Sequence, residues 1–198
     1  MPLPPADHKI LNEDDASREG DKNVGVIVDR WSSFLGAFPD RSKHTNPTKM
    51  ALERMAGPNV KVKHCYHDGS GELTKACEAL EIPHDQSRPY RSETNAIAER
   101  AVRRVKEGTS CALVQSGLSD EWWAWAVDCF CLHRNVVDVL VCGKTPWEKR
   151  FKGKFDGPII ALGAEVRWKP SSEKDKKKIH QFSGKMLPGI FLGYVQQS

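Results

Sequence analysis

An α/β protein with a smaller basic module at its C-terminal end is the architecture this sequence predicts, and three observations carry it. Short apolar-alternating runs recur between segments of helical period, the texture of a sheet flanked by helices. The charge is split: residues 144–198 hold 12 Lys/Arg against 5 Asp/Glu, net +7, while the remainder holds 18 against 21, net −3. After Gly143 the helical texture gives way to strand-like segments. At 198 residues and 22.2 kDa the chain can bury one good core and a small second module, expected as 1–143 and 144–198.

The elements follow in order. VGVIVDRW and SSFLGAF read as two short strands joined near Asp29–Ser33. A helix over Pro47–Met55 is stopped by Gly57-Pro58. Val60, Val62, His64 and Tyr66 alternate as a strand that delivers Asp68 to its end, just before Gly-Ser-Gly. A helix over Leu73–Leu80 and a short strand or turn at Ile82 precede a long helix that opens near Glu93–Asn95 and runs through ERAVRRVKEG. Ser119 is placed to cap LSDEWWAWAVDCFCLHRN, whose wide apolar face suits the core or a dimer contact. Pro146–Phe151 reads as a helical turn, and PIIALGAEVRWKP and MLPGIFLGYV as strands around the solvated, Lys-rich SSEKDKKKIH.

Two carboxylates stand out, Asp68 at a strand end and Glu99 one turn inside a helix, 31 positions apart. Paired acids so placed serve two-metal phosphodiester chemistry, because two hard cations about 4 Å apart need shared oxygen ligands. Strand-end Asp and helix-surface Glu residues are abundant, and a turn cap and a solvated helix face are the plainer reading of this pair. On the Glu99 helix, Asn95, Glu99, Arg103 and Lys106 share one face, and Ile97, Ala101 and Val105, edged by Ala98 and Val102, form the stripe expected to pack on the sheet. Arg103 and Lys106 thereby suit DNA phosphates, with Arg100, Arg104 and Asn95 as further contacts; a solvated basic face with i,i+4 pairs is the alternative. Six cysteines form no CxxC pair and have no matching His spacing, so reduced, mostly buried thiols are expected and zinc is not. No metal is assigned to His64, His67 or His84. No Ser or Cys nucleophile is paired with His, and no Gly-rich phosphate cradle is present.

The wording of the motifs adds a resemblance. HDGSGEL resembles the D-N-G/S-G-E-F/L stretch of retroelement integrases, and TNAIAERAVRR the N-G-I/V-A-E-R stretch. SRPYRSETNAIAER, GKTPWEKRF and LPGIFLGYV resemble, in the same order, segments of copia-type retrotransposon polyproteins, so the likeness spans residues 5 to 195. It implies a ribonuclease H-like mixed sheet flanked by helices, followed by a small Src-homology-3-like β-barrel, whole or incomplete. It implies a catalytic and metal-binding triad of Asp7, Asp68 and Glu99. That fold has three antiparallel strands before its first helix, and ADHKIL is the candidate for the missing first one; Asp29 is the runner-up for the first acid, read instead as a turn residue. With three prolines among the six residues before Asp7, its strand is expected to be cut short or poorly paired, as in an N-terminally truncated fragment with weak activity.

The resemblance further implies a two-metal Mg2+ (or Mn2+) site, DNA 3′-end processing and strand transfer, element and target DNA as partners, and a homo-oligomer. The alternatives are a catalytically inactive ribonuclease H-like remnant that binds nucleic acid or self-associates, and a marginally folding genomic fragment. Gly69 stands where the family has Asn, which is expected to loosen the turn aiming Asp68, and Ala96 stands where it has Gly. No apolar run approaches 18 residues and no signal-peptide core is visible, so a soluble cytoplasmic or nuclear protein is expected.

Overall fold

A computed structural model describes residues 6–11, 13–58, 60–87, 92–180, 182 and 184–194; for Ile10, Glu13 and residues 92–95 it describes the backbone alone. Five strands form one mixed sheet in the order β3-β2-β1-β4-β5: β1 (Ala6–Ile10), β2 (Asn23–Val28), β3 (Leu35–Asp40), β4 (Cys65–His67) and β5 (His84–Gln86). β1 and β3 flank β2 antiparallel, and β4 and β5 continue parallel to β1. This supplies the three antiparallel strands that the resemblance required before the first helix. β1 is not frayed: all five of its residues pair with β2, from Ala6 opposite Ile27 to Ile10 opposite Asn23. The expectation of a poorly paired first strand is thereby corrected, because the β2 backbone satisfies β1 along its whole length.

Helices cover both faces. α1 (Thr45–Ala56) and α2 (Gly71–Ala79) pack on one, burying Leu52, Met55, Leu73, Ala76 and Cys77 against Ala6 and Ile27. α3 (Ser92–Ser116) and α4 (Trp123–Val137) pack on the other, burying Ala101, Val105, Val127 and Cys131 against Val24 and Val26. The alternation of β2 sorts its side chains between these layers. α3 and α4 approach closely at Gly108, where a Cβ would stand 2.1 Å from Phe130. The sheet-facing stripe of α3 is rotated from the expected one: Ala98 is buried and Ile97 is 37 % exposed. Over a 25-residue helix the buried positions 98, 101, 105, 109 and 113 keep a spacing of three to four, and the small Ala98 admits the close approach.

Three further expectations are corrected. The strand leading to Asp68 has only Cys65–His67, though Val62 upstream is buried. Ser119 stands before a 3-10 turn, Asp120–Trp122, and its hydroxyl faces Glu121 Oε1 at 3.4 Å rather than capping a backbone amide. The Lys-rich connection contains a short helix, Glu173–Lys176, capped by Ser172.

The T-P-W-E motif builds α5 (Pro146–Phe151) through a capping box, in which Thr145 Oγ1 accepts from Glu148 N and Glu148 Oε2 accepts from Thr145 N. α5 packs on the main body: Arg150 donates to the α1 carbonyls of Met55 and Ala56, and its guanidinium lies 4.0 Å from Asp29. Beyond it, β6 (Glu165–Trp168) and β7 (Leu187–Ile190) form a two-stranded antiparallel sheet, which no further strand joins among the described residues. Leu162, Phe191 and Tyr194 fold back onto Leu113, Ala126 and Cys129. All six cysteines are free thiols, four of them buried. No helix among the described residues is long and apolar enough to cross a membrane.

Candidate functional site: a carboxylate end of the sheet

The parallel pairing of β1 and β4 sets Ala6 opposite His67; the residues that follow are Asp7, within β1, and Asp68, just past the end of β4. Ala6 belongs to the core beneath α1, and His8 Nε2 lies 3.3 Å from Thr48 Oγ1 of α1. Strand alternation therefore turns Asp7 toward the opposite face, the one covered by α3. α3 carries Glu99 on an exposed flank, away from its buried stripe. Electrostatics record the proximity: burial raises the Asp7 pKa above the ordinary aspartate value, and the charges of Asp68 and Glu99 raise it further. The His8 amide, donating to Asp7 Oδ1 at 2.7 Å, and the Lys43 ammonium work against the rise.

Asp68 is exposed, and its Oδ1 accepts from Ser70 N at 3.0 Å. Gly69 does not loosen this turn. It occupies φ +85°, where glycine carries no Cβ penalty, and its amide donates to His67 Nδ1 at 3.1 Å. His67 is fully buried, its Nε2 has no partner among the described residues, and burial and the neighbouring His84 hold its pKa down. A neutral imidazole therefore props the turn beneath Asp68.

Asp29 lies elsewhere. It is completely buried at the β2 exit, accepting from Ser32 Oγ and, at 3.1 Å, from Trp31 N, with Arg150 beside it. This is a turn residue locked into the core, closed to substrate.

Arg103 and Lys106 are exposed on α3. Lys106 borders a hollow of about 700 Å³ shared with Lys9, Val24 and Thr109. Arg100 is exposed and donates Nε to Ala96 O at 3.0 Å. The side chain of Asn95 lies outside the described residues. Sequence reading missed Lys43, whose charge reaches both Asp7 and His8 from the β3–α1 connection; a lone lysine in a loop carries no periodic signal.

The three acids suit a divalent metal in donor chemistry, being hard oxygens whose mutual repulsion a cation would relieve. They do not form a closed coordination shell: among the described residues no group of three or more His, Cys, Asp or Glu stands ready to hold a metal ion.

No protein-family model matches the chain, and no curated protein matches it. Solved structures do. The catalytic core domain of BIV integrase superposes with a TM-score of 0.53 at 18% identity, covering 75% of this chain and 92% of that one. The catalytic core of HTLV-2 integrase, determined in complex with magnesium in a trimeric form, gives a TM-score of 0.55 at 17% identity over 75% and 96%. Strand order, the helices on both faces and these superpositions agree that the chain has the fold of a retroviral integrase catalytic core.

Proposed function

We propose that the chain is the integrase core of a copia-type retrotransposon, acting in metal-dependent DNA 3′-end processing and strand transfer, with β6–β7 as the start of a small Src-homology-3-like barrel. What supports this best is the integrase-core fold, together with the register that puts Asp7 and Asp68 next after the paired Ala6 and His67 and the charges of Asp68 and Glu99 that reach Asp7. In this reading those three residues hold Mg2+ or Mn2+, which supplies Lewis-acid activation of water and then of a DNA 3′-hydroxyl for in-line attack on a phosphodiester. Asp68 and Glu99 are exposed, so no packing prevents their side chains from turning toward Asp7. The propped turn at His67–Ser70 fixes the backbone that aims Asp68. Arg103 and Lys106, about one and two turns beyond Glu99, hold DNA phosphates beside the acids, with Arg100 and Asn95 as further contacts. DNA ends, target DNA and a second copy of the chain are the partners.

A strand-transfer assay with Mg2+ or Mn2+ and end-bearing duplexes tests the reading. Glu99→Gln keeps the shape and removes the charge, so product should disappear; product that persists in this variant refutes the assignment. The open coordination shell favours one second reading, an inactive ribonuclease H-like remnant that still binds DNA. Retained DNA binding with no metal-dependent product from the unaltered chain would select it.

A further inference from the structure

A second charged feature lies on α3, on a different face from Glu99. Successive helix positions are rotated by about 100°, so Arg100 and Arg104 stand roughly a third of a turn around from the line of Glu99, Arg103 and Lys106. They line a hollow of about 240 Å³ with Arg134 of α4, over an apolar floor that includes Val28, Leu35 and Ile97. No carboxylate lines it among the described residues.

Arg134 is the built part of this site. Its side chain is 9 % exposed, held by an Nη1 donation to Ser33 O at 2.9 Å. One carboxylate, Asp138, approaches Nε at 3.6 Å from the exposed side. Arg104 makes no hydrogen bond or ion pair among the described residues, and Arg100 engages only Nε. Three guanidinium groups thus face one small hollow with a single partly screened carboxylate nearby. That leaves a net surplus of two positive charges and several undirected N–H donors. Repulsion between Arg104 and Arg134 is felt as a lowering of the Arg134 pKa, second to the effect of burial.

We propose that Arg100, Arg104 and Arg134 form an anion site that takes a backbone phosphate of a nucleic-acid strand. Planar guanidinium forks match the paired oxygens of a phosphodiester, and a desolvated arginine on a rigid helix retains little rotamer freedom to lose. The apolar floor gives the adjoining sugar a surface to rest on. The site rests on the DNA-binding reading above and extends it: Arg100, already a DNA contact in that reading, is joined by Arg104 and Arg134, so the strand would touch α3 on two faces.

The experiment is salt-dependent binding of a fluorescent DNA duplex to the full chain between roughly 50 and 200 mM KCl, comparing unaltered protein, Arg104→Gln and Arg103→Gln. Arg104 is exposed, so its variant should fold, which its melting temperature checks. Removing one arginine–phosphate pairing lowers the slope of log affinity against log salt by about 0.9. Arg104→Gln should lower the slope by that amount and weaken binding several-fold at the lowest salt. If Arg103→Gln lowers the slope and Arg104→Gln leaves it unchanged, the arginine site is overturned while the DNA reading stands. If the unaltered chain binds no DNA, both fall.

Discussion

Asp128 offers a stability test whose size follows from the structure. It sits on α4 beside a hollow of about 440 Å³ between α1, β3, α4 and α5. Burial pushes its pKa up from 3.8 to about 6, with Arg54 pulling it back and Asp21 adding to the rise. The folded protein therefore holds this proton more tightly than the unfolded chain does. Stability from Asp128 is complete below about pH 4 and is lost as pH rises through about 6. A rise from 3.8 to about 6 corresponds to about 3 kcal/mol by neutral pH. Asp128→Asn keeps the shape and cannot ionise. Urea unfolding of both proteins across pH should give nearly equal stabilities near about pH 4, and a variant more stable by up to about 3 kcal/mol above about pH 7. A difference that stays constant with pH, or a variant less stable at neutral pH, would refute the argument.

Two further outcomes follow from buried polar groups. Asn135 is 1 % exposed and pairs with both backbone groups of Leu35, accepting from its amide at 2.9 Å and donating to its carbonyl at 2.8 Å. It closes part of the β3 edge, so Asn135→Leu should cost about 2–4 kcal/mol for two stranded backbone groups, read as a lower urea midpoint. Arg150→Met removes the donors to Met55 O and Ala56 O and leaves the buried Asp29 without its cation. We expect destabilisation of about 3 kcal/mol, partly recovered when Asp29→Asn is added; a strictly additive double variant would show that the two do not act as a pair.

The integrase-like fold constrains how the chemistry is read. Burial raises the Asp7 pKa, and the charges of Asp68 and Glu99 add to the rise, against the pull of the His8 amide and of Lys43. The turn at Asp68 is built around a neutral buried histidine, so its backbone is fixed while its carboxylate stays exposed. The three acids nevertheless stand short of a shared coordination shell, and the Glu99→Gln assay is what separates an enzyme from a remnant.

Much of this molecule was written into local pattern. The alternation across β2, the T-P-W-E capping box and the 3.6-residue period of α3 are short-range properties that the chain determines by itself, and local pattern put Asp68 just past a strand and Glu99 inside a helix, where they occur. Which acid accompanies them is a long-range matter. Asp29 ends an apolar run and Asp7 does not; the pairing of Ala6 with His67 nevertheless puts Asp7 and Asp68 next after that pair, while the Ser32 turn and Arg150 seal Asp29 in the core. The rotation of α3 that exposes Ile97, the Asn135 clamp on β3 and the gathering of Arg100, Arg104 and Arg134 also depend on contacts between residues as much as 100 positions apart. Periodicity says which side of an element is apolar; the packing of whole elements decides what each polar side chain meets.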